Sequence, residues 1–208
     1  MYTKSDWIIR KPDSPNFWID NDKYDPIYGQ ALKMAHMIHY MYDYELVLMM
    51  SIIRSLPDNA IVVNVGAGSG TSGLAIAEAR PDLAETTWSI DMRGEDNPYG
   101  GLLNERNAFS EFLPNNRIPN QILGNSYDIG LSWNRGWIDF IFIDADHGFD
   151  GITHDIEAWK PKVKSGGFMM FHDYDHGFWP SVKTVVDEKM KDDVRVAVVD
   201  LSALFIKK

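Results

Sequence analysis

Residues Ile61-Val62-Val63-Asn64-Val65-Gly66-Ala67-Gly68-Ser69-Gly70-Thr71-Ser72-Gly73 decide how this chain is read. A β-branched run ends in a cluster of glycines, and the alanine-rich segment Leu74-Ala75-Ile76-Ala77-Glu78-Ala79-Arg80 follows at once. The pattern predicts a strand, a tight turn and the start of a helix. Glycines at such a turn let the backbone reach unusual φ/ψ values and let a ligand come close to the main chain. The helix start adds unpaired N–H groups, so the stretch reads as a cradle for a nucleotide or cofactor.

Upstream, residues 1–25 are rich in Trp, Pro, Asp and Asn and have no period, which predicts an irregular arm. Ala31, Met34, Ala35, Ile38 and Met41 then follow three-and-four spacing, and residues 45–56 continue it, predicting two helices before Pro57-Asp58-Asn59 breaks the pattern. Residues 1–57 are therefore expected to cap a core formed by residues 58–208, within the same domain.

Downstream, strands are predicted at 86–90, 118–123, 137–143 and 168–171, separated by helices at 102–112, within 125–132 and after Phe149. Gly166-Gly167 is expected to separate the last of these helices from its strand. A helix over 179–191 and two strands, 194–199 and 201–206, close the chain, with Asp200 as the turn of an antiparallel pair. Alternating strands and helices of this length imply a Rossmann-like, doubly wound α/β fold. The expected sheet is seven-stranded and mostly parallel with an antiparallel last strand, and helices precede it at the N-terminus.

The totals narrow the function. Thirty Asp and Glu against 20 Lys and Arg give a net charge of −10, which argues against nucleic acid as a partner and for a small-molecule substrate. Cysteine is absent, so neither a disulfide framework nor a thiolate zinc site can form. No signal-peptide pattern opens the sequence, and the longest apolar run, Leu46-Val47-Leu48-Met49-Met50, is far too short to cross a bilayer. The expectation is a cytoplasmic protein that does not engage membranes, and a homodimer is compatible with it.

Ligands of open parallel sheets bind beyond the carboxyl ends of the strands. Those ends carry Gly66 to Gly70, Asp91, Gly124-Asn125-Ser126, Asp144-Ala145-Asp146-His147 and His172-Asp173. The glycine turn also satisfies the dinucleotide fingerprint through Gly68, Gly70 and Gly73, and Asp91 suits the ribose of either NAD or S-adenosylmethionine. Two features favour S-adenosylmethionine: Gly66 follows the strand directly, and a chain of 208 residues has little room for a separate catalytic domain. An NAD-dependent oxidoreductase and a non-catalytic cofactor-binding protein stay open as alternatives. His147 reads either as a proton acceptor, neutral near pH 7, or as a partner of the Asp144 loop.

The combination Asn64-Val65-Gly66-Ala67-Gly68-Ser69-Gly70, Asp91, Ile143-Asp144-Ala145-Asp146-His147 and Gly166-Gly167 with Phe171-His172-Asp173 resembles the class I S-adenosylmethionine-dependent methyltransferases. Among them it is similar to the small-molecule O-methyltransferases. The resemblance implies that Asn64, Gly66, Ala67, Gly68 and Gly70 cradle the cofactor. It further implies that Asp91 holds the ribose, that Asn125 or Ser126 lies near the adenine, and that Asp144 also belongs to the cofactor site. It implies a divalent metal, Mg²⁺ or Mn²⁺, on Asp144, His172 and Asp173, with Asp144 and His147 in catalytic roles. Asn64 departs from the family pattern, which often has an acid there.

Overall fold

The computed structural model describes residues 30–31, 40–95 and 100–208. The arm, most of the first predicted helix, and His36 and His39 lie outside the described residues. Helix α1 (Asp43–Ser55) leads into β1 (Val62–Val65), the glycine turn and α2 (Thr71–Ala79). A 3-10 turn precedes β2 (Thr87–Asp91), followed by α3 (Leu102–Phe112), β3 (Asn120–Leu123), α4 (Ser126–Leu131) and β4 (Ile138–Ile143). The chain continues through α5 (Phe149–Trp159), β5 (Val163–Phe171), α6 (Pro180–Lys189), β6 (Val194–Val199) and β7 (Ser202–Ile206).

The seven strands run in the order β3-β2-β1-β4-β5-β7-β6. Strands β1 to β5 pair in parallel, and β7 lies antiparallel between β5 and β6. This is the expected Rossmann-like sheet with its antiparallel last strand. Asp200 makes the β6–β7 turn in the left-handed region, at φ 47°. Two strands differ from the expectation in extent. Strand β3 starts at Asn120 because Pro119 has no N–H to give the ladder. Strand β5 starts earlier, at Val163, and runs through the glycine pair: Gly166 takes φ 78° where the β4–β5 register shifts, a bend inside the strand.

Alternation along the strands builds two apolar layers. Val62, Phe140, Phe142, Phe168, Met170 and Leu204 pack beneath α1, α2 and α3. Val63, Val65, Ile141, Ile143, Met169 and Phe171 pack beneath α5 and α6. Both faces are covered, so these strands are apolar at consecutive positions, and each fully buried large side chain contributes about 1.5–3 kcal/mol. Helix α1 therefore belongs to the body of the domain: Leu46, Leu48, Met49, Met50, Ile52 and Ile53 are all buried in the first layer. Among the described residues no helix is long and apolar enough to cross a membrane.

The strand order reverses between β1 and β4, which opens a crevice at their carboxyl ends. The glycine turn and the Asp144 loop leave the sheet there side by side.

Candidate active site

The glycine turn is fixed by close packing on one side and open on the other. Gly66, Gly68 and Gly70 have φ of 89°, 51° and 98°. A Cβ on Gly66 would stand 1.9 Å from the Asp144 carbonyl oxygen, and one on Gly70 2.9 Å from Glu105 Cα. Among the described residues, a Cβ on Gly68 would meet nothing within 4 Å, which leaves room for a ligand against the main chain there. Gly101 N donates to Gly68 O at 2.8 Å, so the segment before α3 braces the turn from behind.

Asp91, buried at the end of β2, clasps this turn. Its Oδ2 accepts from Ala67 N at 3.0 Å and Gly68 N at 3.3 Å, and its Oδ1 accepts from Arg93 N at 2.8 Å. A carboxylate has about four lone-pair sites, so capacity for a ribose hydroxyl remains on Oδ1. Asn64 lies buried below, its Nδ2 3.5 Å from Ser89 Oγ and its Oδ1 without a partner. Asn125 and Ser126 are engaged locally. Asn125 Oδ1 accepts from Tyr127 N and Asp128 N and caps α4, while Ser126 Oγ donates to Asp155, whose carboxyl burial pushes up to about 6.

Across the crevice, three side chains converge. His147 Nε2 lies 2.9 Å from Asp173 Oδ2 and 3.3 Å from Asp144 Oδ1. One ligand atom from each of Asp144, His147 and Asp173 falls within 4.8 Å of the others. Asp173 reaches this position from a left-handed backbone at φ 51°, a strain that non-glycine residues hold where their surroundings require it. Two carboxylate oxygens and one imidazole nitrogen form a donor set that fits Mg²⁺ or Mn²⁺. His147 also stacks on Trp179, ring centroids 5.1 Å apart and planes 27° from parallel.

The converging group brings His147 to Asp144 and Asp173, and His172, which the sequence reading put with these two acids, lies next to the same carboxylate oxygens. His172 sits behind the carboxylates, only 7% exposed. Its Nδ1 lies 3.4 Å from both Asp144 Oδ1 and Asp173 Oδ2, and its Nε2 lies 3.4 Å from Glu45 Oε2. The ring of His172 is buried, yet its Nδ1 faces the same two carboxylate oxygens that His147 approaches from the exposed side. Asp146 is turned away: its Oδ1 accepts from Gly148 N at 2.8 Å, shaping the entry to α5.

The charges are strongly coupled. Burial alone would raise the Asp144 pKa, but the charge of His172 and bonds from both histidines hold it at about 2. Burial works against ionisation of Asp173 too, and the same two histidines hold it below the usual carboxylate range. Burial lowers the His172 pKa, yet the surrounding carboxylates of Asp144, Asp173 and Glu45 outweigh it and keep the ring protonated. Bonds to Asp144 and Asp173 raise His147 to about 9.

Glu45 escaped the sequence reading because it looked like an ordinary residue in the first turn of a helix. It is fully buried: Oε2 accepts from Tyr42 N at 2.8 Å, and Oε1 accepts from Leu201 N at 3.0 Å and Ser202 Oγ at 2.8 Å. It ties α1 and the β6–β7 turn to the back of the site. Trp179 was read simply as the beginning of a helix, and only its contact with His147 reveals its place. Of the other described histidines, His154 is exposed with its ring tilted against Tyr127, and His176 lies near Phe178.

A family model for a methyltransferase domain matches residues 63–174, more than half of the chain. No curated relative matches the chain by sequence. Several solved structures share the fold. The O-methyltransferase NovP is 16% identical with a TM-score of 0.63, the alignment covering 79% of each chain. The SAH-bound Podospora anserina methyltransferase PaMTH1 is 16% identical with a TM-score of 0.63, covering 88% of each. MycE methyltransferase, in complex with Mg, SAH and mycinamycin VI, is 14% identical with a TM-score of 0.59, covering 88% of this chain and 54% of MycE. The family match decides against the oxidoreductase alternative: the chain belongs to the methyltransferase-domain family.

Proposed function

We propose that this protein is an S-adenosylmethionine-dependent O-methyltransferase that acts on a small hydroxylated metabolite with the help of a divalent ion, Mg²⁺ or Mn²⁺. The observation that carries the reading is the position of the Asp144, His147 and Asp173 group directly beside the glycine turn, with Gly66 packed on the Asp144 backbone. Two neighbours of the same fold contain SAH, the demethylated form of this cofactor, and one of them also contains Mg.

S-adenosylmethionine supplies a methyl group on a sulfonium, which transfers by in-line displacement. The turn from Gly66 to Gly70 orients the cofactor, and Asp91 fixes that turn while offering Oδ1 to the ribose. Asp144 and Asp173 hold negative charge where the acceptor arrives, and such alignment of reactants can be worth about 7–11 kcal/mol. A divalent ion on Asp144, His147 and Asp173 would lower the pKa of an acceptor hydroxyl. His147 in its free form is protonated at neutral pH, which disfavours a role as general base, and an ion would have to displace that proton to bind its ring nitrogen. Trp179 covers one face of His147 and limits water there.

Titration with Mn²⁺, followed by electron paramagnetic resonance, tests the metal assignment. Binding is expected to weaken at least tenfold in Asp144→Asn and in Asp173→Asn. Turnover unaffected by EDTA would remove the ion from the mechanism.

A further inference from the structure

Beneath the glycine turn lies a second buried carboxyl, Glu105, which the chemistry above does not use. It is fully buried on α3, in the layer under α2. Ser89 Oγ bonds its Oε1 at 2.6 Å, and Gln121 Nε2 donates to its Oε2 at 2.8 Å. Gln121 is itself oriented by Arg106, whose Nη2 donates to its Oε1 at 2.7 Å. Two glycines of the cofactor segment are shaped around this residue. A Cβ on Gly73 would stand 2.2 Å from Glu105 Oε1, and one on Gly70 2.9 Å from its Cα. Glu105 thus links β2, β3, α2 and the turn.

Both direct partners donate to it, and its complete burial, with no ion pair among the described residues, outweighs them. Ser89 also faces Asn64, whose Oδ1 is buried without a partner, and Asp91 adds a negative charge from the same strand. Arg106 is the cation facing it, and its effect is the smallest of those acting on the group. From α2, Gly73 packs on the carboxyl, and the charged residue of that helix, Glu78, accepts from Gln30. A carboxyl so placed is stabilised as the neutral acid.

We propose that Glu105 is a positioning residue for cofactor binding: carried as a neutral acid, it holds Ser89, Gln121 and the glycine segment in the binding shape, and its ionisation loosens that segment. The idea rests on the reading of the turn as an S-adenosylmethionine site. The directions agree, since burial raises the group to about 7. Because the folded pKa exceeds the unfolded one near 4.5, the stabilising effect is complete below about 4.5. It is lost as pH rises to about 7.

The test compares wild type with Glu105→Gln, which keeps the shape and cannot ionise. Ligand-free unfolding should show the wild type losing stability relative to the variant between pH 4.5 and 7, on the order of a hundredfold in the unfolding constant. Calorimetric titration with S-adenosylmethionine should show wild-type affinity falling by up to about tenfold per pH unit above 7 relative to the variant. The infrared difference between wild type and Glu105→Gln should show a protonated carboxyl band, distinct from that of Asp155, that fades through neutrality. Parallel pH profiles in both proteins, or no such band near pH 6, would overturn the proposal. If S-adenosylmethionine fails to bind wild type at every pH while the unfolding difference and the band persist, the buried acid stands and the cofactor reading falls. The link to cofactor binding falls with it.

Discussion

Replacing Gly66 with alanine should damage the protein far more than the same change at Gly68, although only Ala67 separates the two glycines. The added Cβ at position 66 would lie 1.9 Å from the Asp144 carbonyl oxygen and 2.6 Å from its carbon. To reach ordinary contact, the turn and the end of β4 must part by roughly 1.5 Å. Forcing packed groups apart costs about 1–3 kcal/mol, and a left-handed backbone costs a residue with a Cβ about 1–2 kcal/mol. The sum is about 2–5 kcal/mol for Gly66→Ala. Gly68→Ala, at φ 51° with nothing within 4 Å, incurs only the backbone part. For a chain of this size each kcal/mol lowers Tm by about 2–4 °C. Gly66→Ala should therefore melt about 4–20 °C below wild type, and Gly68→Ala about 2–8 °C below. The separation also pulls Asp144 from the cofactor turn, so S-adenosylmethionine affinity should fall in Gly66→Ala beyond what stability explains. Scanning calorimetry and a cofactor titration measure both. Equal melting temperatures for the two variants would refute the packing argument.

Glu45→Ala removes a carboxylate that three donors and the His172 ring face, leaving a buried charge uncompensated; a loss of about 3–5 kcal/mol is expected in urea unfolding, with Glu45→Gln milder. Metal affinity should rise with pH, by up to about tenfold per unit as far as about 9, because the ion needs neutral His147 and displaces its proton; titrations with Mn²⁺ at pH 7 and 8 give the slope, and a flat profile would remove His147 from the ligand set. Asn125→Ala should cost about 1 kcal/mol through the lost cap on α4. Cofactor affinity unchanged in that variant would confine Asn125 to capping, and a drop beyond fivefold would support the adenine contact.

The parts of the fold visible in the sequence are those set by local composition. The glycine cluster after residues 61–65, the apolar run before Asp144 and the near-absent link between β6 and β7 specify their elements with little help from the rest of the chain. Strand β5 was read too short because a glycine pair normally interrupts structure, whereas here Gly166 lies at a register shift secured by neighbouring strands. Asp144 and Asp173 were legible because an acid directly after a buried strand has no apolar partner to meet. That two imidazoles, His147 and His172, face the same pair of carboxylates was not legible, nor was the contact of His172 with Glu45, 127 positions away. Glu105 and Ser89 were equally hidden, since their pairing joins a helix to a strand and each residue type is ordinary in its own element.

The central claim is the identity of the cofactor and the seat of its ribose. Calorimetric titration of S-adenosylmethionine into wild type and Asp91→Ala, with NAD run in the same buffer, addresses it most directly. Wild type should bind S-adenosylmethionine at one site, Asp91→Ala should bind at least about tenfold more weakly for want of charged hydrogen bonds, and NAD should give no heat. Saturable binding of NAD with none of S-adenosylmethionine, or equal S-adenosylmethionine affinity in both proteins, would contradict the account.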